Sequence, residues 1–257
     1  MRKSTPSRIV SRAALLPLPL LMCLLTPLAS TTDRTDASMI TLPLPSLIRI
    51  PLLTALLMLL ASWLAVAPTA LAAPAKPVIL VLGDSLSAGY GLDAQAGWVA
   101  LLQKRLDAQG YDYRVVNASI SGDTTSGGLA RLPSALDRHK PAIVLIELGG
   151  NDGLRALPLK AMRDNLTRLA DLSLNAGAKV LLLEMRIPPN YGAAYTEGFT
   201  RTFGEVSQDR KLTLVPFFLL PLVGVAGAFQ DDGIHPSAAS QPTMLDAVWP
   251  SLKPLLK

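Results

Sequence analysis

From residue 77 onward, short apolar runs alternate with longer segments in which apolar residues recur at helical spacing. Short runs that are rich in β-branched residues and bounded by glycine, proline or polar residues are typical of buried strands. The pattern predicts strands at residues 78–82, 113–120, 142–148, 179–184 and 212–215, and helices at residues 97–108, 126–138, 159–175, 195–210 and 242–252. Residues 216–229, apolar but broken by prolines and glycines, are predicted to form an irregular covering segment. The alternation is typical of a single doubly wound α/β domain, with a parallel sheet flanked by helices on both faces.

The sequence before this domain has a different character. Two almost wholly apolar runs, residues 13–28 and 50–67, precede it, and Ala70-Leu71-Ala72 follows the second run. An apolar run that ends in an Ala-x-Ala site is typical of a secretory signal peptide. We therefore expect residues 1–72 to form a leader that is cleaved after Ala72, and residues 73–257 to form the mature domain in the periplasm or outside the cell.

The presence of two apolar runs in tandem leaves two interpretations open. Met39 stands just before the second run, so translation from Met39 would make residues 39–72 the functional signal peptide. Alternatively, translation begins at Met1 and both runs stay in the membrane as an anchor. Each run contains proline and is near or below the length of a membrane-spanning helix, which weakens the second interpretation.

Most of the net positive charge of the chain belongs to the leader. Residues 1–72 hold six of the 24 Lys and Arg but two of the 19 Asp and Glu, which leaves 18 basic and 17 acidic residues in the mature domain. This near balance, without a basic run, gives no indication of nucleic-acid binding. The one cysteine, Cys23, also lies in the leader, so the mature domain has no thiol nucleophile and no disulfide.

Ser85 follows the first predicted strand, in the sequence Gly83-Asp84-Ser85. Open α/β sheets place their ligand crevices at the carboxyl ends of their strands, where Ser85 is expected to lie. Gly83 and the small residues after Ser85 allow a tight turn from strand to helix, which raises a hydroxyl out of the backbone. Because Gly-Asp-Ser is also an ordinary turn sequence, Ser85 is a candidate nucleophile that needs partners elsewhere in the chain.

A serine nucleophile needs a base, and the chain has only two histidines, His139 and His235. His139 lies at a polar helix end, where a solvated side chain is expected. His235 follows all five predicted strands, and Asp232 precedes it by three residues. That carboxylate would accept the Nδ1 proton of the imidazole while Nε2 faces the serine. A turn capped by an aspartate is the alternative interpretation of the same loop.

Two more turns with glycine follow the second and third predicted strands. The first contains Gly122 and the second contains Asn151. The backbone N–H of Gly122 and the side-chain amide of Asn151 are donors of the kind that stabilise a negative carbonyl oxygen. Each turn alone is a weak indication. Four such turns at one edge of a sheet, with a serine, an Asp/His pair and two donors, favour an active site.

These turns together resemble the GDSL (SGNH) hydrolase family. The resemblance is carried by Gly83-Asp84-Ser85-Leu86-Ser87, by Gly122, by Gly149-Gly150-Asn151-Asp152, and by Asp232 and His235 three residues apart. Residues 117–124, 127–133 and 147–155 resemble the periplasmic members that act on acyl-CoA, lysophospholipids and aryl esters. The resemblance covers essentially all of the mature domain.

The resemblance implies a flavodoxin-like sheet with strand order 2-1-3-4-5. It implies Ser85 as nucleophile, His235 as base and Asp232, rather than the neighbouring Asp231, as the residue that orients the base. It also implies an oxyanion hole made by the N–H groups of Ser85 and Gly122 and the amide of Asn151. A substrate loop is implied at residues 152–157, and we expect substrate contacts at Asp152, Gly153, Leu154, Leu157, Ile187 and Tyr191.

The sequence therefore predicts a serine esterase and thioesterase that cleaves small-molecule acyl esters through a covalent acyl-enzyme. We expect no metal or cofactor, a monomer, and membrane contact only where a lipid is the substrate. Two alternatives remain: a carbohydrate esterase of the same superfamily, and a non-catalytic binding protein on the same scaffold. Against a nucleotide binder, the first turn is not Gly-x-Gly-x-x-Gly and no strand is followed by a phosphate-binding loop.

Overall fold

The computed structural model describes residues 75–257 together with Thr54, Ala55 and Met58. All elements discussed below belong to one compact unit of the chain, Leu71–Lys257. Apart from those three residues, the predicted leader lies outside the described residues, as does its predicted cleavage site after Ala72. Among the residues that are described, no helix is both long and apolar enough to cross a membrane.

A five-stranded parallel sheet forms the centre of the domain, with strand order β2-β1-β3-β4-β5. This is the flavodoxin-like order that the family resemblance implied. The strands are β1 (Val78–Gly83), β2 (Arg114–Asn117), β3 (Ile143–Glu147), β4 (Lys179–Leu183) and β5 (Thr213–Val215). Every residue of β1 and β3 is buried, as expected for central strands that are covered on both faces.

Seven α-helices flank the sheet in the described part of the chain. They are α1 (Ser85–Ala88), α2 (Trp98–Ala108), α3 (Thr125–His139), α4 (Gly150–Leu154), α5 (Leu159–Asn175), α6 (Ala193–Arg210) and α7 (Gln241–Leu252). Helices α2 and α7 pack against each other, while α5 packs against both α3 and α6. The longer helices and all five strands confirm the predicted elements to within a few residues at each end.

Two differences from the prediction concern short elements at the edge of the sheet. Strand β2 ends at Asn117 instead of residue 120, because the Asn117 side chain accepts a hydrogen bond from the backbone N–H of Ser119 and starts a turn. Helices α1 and α4 were not predicted, since four or five residues are too few to show a helical period. Both helices begin within three residues of a strand end, and both carry residues of the candidate site.

Candidate active site

A cavity of about 700 Å³ opens at the carboxyl ends of the strands. Its wall is largely apolar and comes from the turns after all five strands and from the loop before α7. The apolar part of the wall includes Leu86, Leu154, Met185, Ile187, Phe217, Leu219, Val223 and Phe229. The polar part includes Ser85, Gly122, Asn151 and His235, so residues from all four candidate turns line the same cavity.

Ser85, His235 and Asp232 form a continuous chain of hydrogen bonds. The Oγ of Ser85 lies 2.8 Å from Nε2 of His235, and Nδ1 of the same ring lies 2.6 Å from Oδ2 of Asp232. The second carboxylate oxygen of Asp232 accepts the backbone N–H groups of Ile234 and His235, each at 2.9 Å. An ionised carboxylate at Nδ1 favours the tautomer in which Nε2 is free to accept the serine proton.

These hydrogen bonds also fix the charge of Asp232. The side chain of His235 first, and then the backbone N–H groups of His235 and Ile234, lower the pKa of Asp232 from 3.8 to about 2. Asp232 is therefore the carboxylate that meets the imidazole. The structure does not bring the neighbouring Asp231 to the ring.

The turn that carries Ser85 is held by side chains on both sides of it. Asp84 is the N-cap of α1, and its Oδ1 accepts the backbone N–H of Leu86 at 3.0 Å. Its other oxygen, Oδ2, accepts a hydrogen bond from Nδ2 of Asn151 at 3.1 Å. Burial, partly offset by these hydrogen bonds and by His235, raises the pKa of Asp84 from 3.8 to about 6.

The three predicted oxyanion donors all line the cavity, but they differ in their present partners. Among the described residues, neither the backbone N–H of Ser85 nor that of Gly122 donates a hydrogen bond within the protein. Gly122 has a φ of +79°, a left-handed conformation that glycine adopts without strain. Asn151, in contrast, already donates from Nδ2 to Asp84 and, at 2.9 Å, to the carbonyl of Asp123. Two donors are thus free and the third is engaged.

An arginine braces the turn that carries Gly122. The Nε of Arg131 lies 2.7 Å from Oδ2 of Asp123, and its Nη2 donates to the carbonyl of Gly83 at 3.2 Å. Its Nη1 donates to the carbonyl of Ala118. The guanidinium therefore joins the ends of β1 and β2 to the turn after β2. Such planar, multiple contacts are the geometry that arginine provides and lysine does not.

Two residues near His235 were missed by the sequence reasoning, Tyr90 and Gln230. The ring of Tyr90 contacts the imidazole, and Nε2 of Gln230 donates to the carbonyls of Tyr90 and Pro236. The backbone N–H of Gln230 also donates to the carbonyl of His235 at 2.8 Å. No periodicity or motif marks either residue; the one available signal is that Tyr90 follows Ser85 by five positions.

The expected substrate contacts divide into two groups. Leu154 and Ile187 line the cavity, whereas Asp152, Gly153, Leu157 and Tyr191 lie outside its wall. The carboxylate of Asp152 is buried and accepts the N–H and the hydroxyl of Thr125 at 2.8 and 2.5 Å. The hydroxyl of Tyr191 donates to the carbonyl of Leu154 at 2.8 Å. Asp152 and Tyr191 therefore make hydrogen bonds beside the cavity and are not part of its wall, and a substrate contact by either residue stays a prediction.

The described residues also contain no group of three or more histidines, cysteines, aspartates or glutamates arranged to hold a metal ion.

The fold and the four turns define a serine hydrolase scaffold, and the comparisons with known proteins agree. The chain belongs to the GDSL-like lipase/acylhydrolase family, whose model matches residues 81–241. It is 59% identical to Esterase TesA of Pseudomonas aeruginosa over 71% of this chain and 90% of that protein. It is 42% identical to thioesterase 1/protease 1/lysophospholipase L1 of Escherichia coli K12, over 72% of this chain and 87% of that protein.

A solved structure of an esterase has the same fold. The crystal structure of the psychrotrophic esterase EstA from Pseudoalteromonas sp., inhibited by monoethylphosphonate, superposes with a TM-score of 0.68 at 46% identity. The match covers 70% of this chain and 98% of that one.

Proposed function

We propose that this protein hydrolyses carboxylic esters and thioesters through a covalent acyl-enzyme on Ser85. The observation that carries the proposal is the chain of hydrogen bonds from Ser85 through His235 to Asp232, at the wall of a largely apolar cavity. The names of the relatives, an esterase and a thioesterase/lysophospholipase, support the same chemistry. The inhibition of EstA by a phosphonate supports it further, because phosphonates commonly react with serine nucleophiles.

In the first half of the reaction, Oγ of Ser85 attacks the carbonyl carbon while Nε2 of His235 takes the hydroxyl proton. The imidazolium then gives this proton to the leaving alcohol or thiol as the bond from the carbonyl carbon to the leaving group breaks. Asp232 stabilises the imidazolium and keeps Nδ1 protonated throughout. In the second half, water attacks the acyl carbon while Nε2 of His235 takes a proton from it. The imidazolium then gives this proton to Oγ of Ser85 as the bond from the acyl carbon to Oγ breaks and the acid is released.

Each tetrahedral intermediate carries a negative oxygen that needs donors. The N–H groups of Ser85 and Gly122, unused within the described protein, are positioned on the cavity wall for this task. Asn151 is the third donor, and it must give up one of its two present hydrogen bonds to reach the oxyanion. Its bond to the Asp123 carbonyl is the one that can be lost without freeing Asp84.

The cavity wall favours an acyl chain over a sugar. A sugar needs several convergent polar groups, whereas the wall is built mainly from leucine, isoleucine, methionine, valine and phenylalanine side chains. We therefore assign aryl esters, acyl-CoA and lysophospholipids to this site ahead of acetylated carbohydrates. We also propose that the protein acts as a monomer without metal or cofactor, and that it contacts membrane lipid when that lipid is its substrate.

We further propose that the protein acts in the periplasm or outside the cell after removal of residues 1–72. The support is the apolar run that ends in Ala70-Leu71-Ala72. N-terminal sequencing of the protein recovered from the periplasm tests this, with Ala73 expected as the first residue. A protein that starts at Met1 or Met39 and sediments with membranes would show that the leader is an anchor.

The function itself is tested with aryl esters of graded acyl length, acyl-CoA, lysophospholipid and acetylated sugars, in parallel with fluorophosphonate labelling. We expect turnover that depends on acyl length and a single labelled peptide that contains Ser85. The Ser85→Ala variant is the control, with neither labelling nor turnover. Turnover that survives in Ser85→Ala, or a preference for acetylated sugars, would overturn the mechanism or the substrate class respectively.

A further inference from the structure

A buried carboxyl group that the mechanism does not use lies beneath the nucleophile turn. Glu147 is the last residue of β3, is fully buried, and is not part of the cavity wall. Its Oε2 accepts the hydroxyl of Ser87 at 2.7 Å and the backbone N–H of Asp84 at 3.2 Å. One carboxyl oxygen thus holds the residue before Ser85 and the residue two positions after it.

Where β1 lies beside β3, a residue without a side chain leaves room for this carboxyl group. Gly83 pairs with Glu147 in the register of the two strands. A Cβ on Gly83 would lie 2.6 Å from Oε2 of Glu147 and 2.8 Å from Cβ of Ser87, closer than real Cβ atoms approach. Glycine at position 83 is therefore required for the Glu147 carboxyl to reach the turn.

The segment that Glu147 holds has little stability of its own. Helix α1 has only four residues, and a single helical turn is unstable unless outside contacts support it. Those contacts are the carboxyl of Glu147, the cap by Asp84, and Nδ2 of Asn117, which donates to the carbonyl of Ser87 at 2.7 Å. The position of Ser85 relative to His235 depends on these three side chains.

We propose that Glu147 is a positioning residue for the ester hydrolysis proposed above: from below the turn, it holds Ser85 where Oγ meets His235 and where the backbone N–H faces the oxyanion. It touches neither substrate nor reacting atoms. This inference rests on the proposed function, since it concerns the reactivity of Ser85. Glu147 itself takes no direct part in the reaction.

The protonation state of the Glu147 carboxyl group suggests a conservative replacement. Burial, and then the neighbouring carboxyl of Asp84, raise the pKa of Glu147 well above its ordinary value and favour its neutral form. Its second oxygen, Oε1, has no hydrogen-bond partner among the described residues. Glutamine has the same shape and keeps one acceptor for Asp84 and Ser87, whereas leucine fills a similar volume without any acceptor.

The test compares Glu147→Gln, Glu147→Leu and Ser87→Ala for kcat and KM with an aryl ester and for the rate of fluorophosphonate labelling. We expect Glu147→Leu to lower kcat and the labelling rate by about 10- to 100-fold with KM nearly unchanged, because a displaced nucleophile loses its near-attack geometry. Glu147→Gln should stay within about 3-fold of the wild type, and Ser87→Ala should fall between the two.

Ser173→Ala is the matched control, because Ser173 is a fully buried serine of α5 whose hydroxyl bonds only within its own helix. It should lose stability without losing labelling rate. A folded Glu147→Leu protein with wild-type labelling, or a change in KM alone, overturns the proposal. If Glu147→Leu does not fold, equal labelling rates for Ser87→Ala and Ser173→Ala overturn it instead. Absence of labelling in the wild type is different, since it defeats the proposed function itself.

Discussion

The phenol ring of Tyr90 lies against the imidazole of His235, with ring centroids 4.4 Å apart and planes inclined by 36°. Asp232 holds the same imidazole at its edge through Nδ1. The proposed base is therefore held by a carboxylate at Nδ1 and by a tilted aromatic ring that packs against it. Tyr90 is itself 52% exposed, so its ring lies between the imidazole and solvent on that side.

The contact between Tyr90 and His235 should have a measurable effect on kcat/KM. Aromatic contacts of this kind contribute about 0.5–1.5 kcal/mol, so Tyr90→Ala should lower kcat/KM by about 2- to 10-fold. Tyr90→Phe keeps the ring and should be close to the wild type. Steady-state kinetics with a short aryl ester checks both variants, and a Tyr90→Phe enzyme as impaired as Tyr90→Ala would mean that the hydroxyl, not the ring, matters.

Replacement of His235 should abolish catalysis while leaving the fold intact. We expect His235→Ala to lower kcat by at least about 10³-fold, and Asp232→Asn by a similar or smaller factor, because the base or its tautomer is lost. His139→Ala is the matched control, since His139 lies at the end of α3, away from the cavity. The measurement is kcat on protein shown to be folded by circular dichroism. Near-normal turnover in His235→Ala would contradict the mechanism.

Asn151 should matter for both rate and stability. Asn151→Ala removes a proposed oxyanion donor and should lower kcat by about 10²- to 10³-fold. It also releases Asp84 and the Asp123 carbonyl, so unfolding should become easier by about 1–3 kcal/mol.

Asn165 offers the control for this variant. Its Nδ2 donates to the hydroxyl of Thr125, and it lies outside the cavity wall. Asn165→Ala should lower stability without a comparable loss of kcat in urea unfolding and steady-state assays. If both asparagine variants lose the same activity, the role of Asn151 is structural rather than catalytic.

Asp232 should stabilise the fold except in strong acid. Its pKa falls from 3.8 to about 2 on folding, so its contribution is complete above pH 3.8 and is lost as the pH falls towards about 2. The difference in urea midpoint between wild type and Asp232→Asn should be constant near neutral pH and should shrink over that acid window. An unchanged difference at low pH would show that the carboxylate is not held by His235 in solution.

Asp84 and Glu147 should make the fold less stable as the pH rises, the opposite of the dependence expected for Asp232. Their pKa values are raised by folding, so the folded protein retains protons that the unfolded chain releases. For Asp84, with a folded pKa of about 6 against an ordinary 3.8, stability falls as the pH rises through that interval. Glu147→Gln removes one of the two acids, so the stability of this variant should depend less steeply on pH. Urea midpoints between pH 4 and 8 test the prediction, and a Glu147→Gln protein with the full slope would contradict it.

The sheet was predictable, and the candidate site residues were recognisable, because each has a strong local signature. Strands β1 and β3 are buried on both faces and therefore consist of continuous apolar runs. The turns after the strands indicated Ser85, Gly122 and Asn151 as candidates, and the family resemblance implied the strand order and the same roles. Asp232 and His235 were found because histidine is scarce and a carboxylate three residues away is easy to recognise.

The supporting contacts were not predictable, because they join residues far apart in sequence. Tyr90 meets His235, and Glu147 meets Ser87, only once the parallel strands are in register. The hydrogen bond of Asp152 was not predictable for the same reason: its partner, Thr125, lies 27 residues earlier on another helix. Side chains in loops are aimed by such tertiary contacts, which a local pattern does not contain.

Ser85 and His235 are separated by 150 positions, so their hydrogen bond closes a loop that includes all five strands. Contacts between residues so distant in sequence form late in folding, because the chain entropy of closing the loop must be overcome first. A partly synthesised chain that ends before residue 230 contains all five strands but lacks the proposed base. Hydrolytic activity therefore reports completion of the whole domain, and during refolding, fluorophosphonate reactivity should return no earlier than the slowest change in circular dichroism.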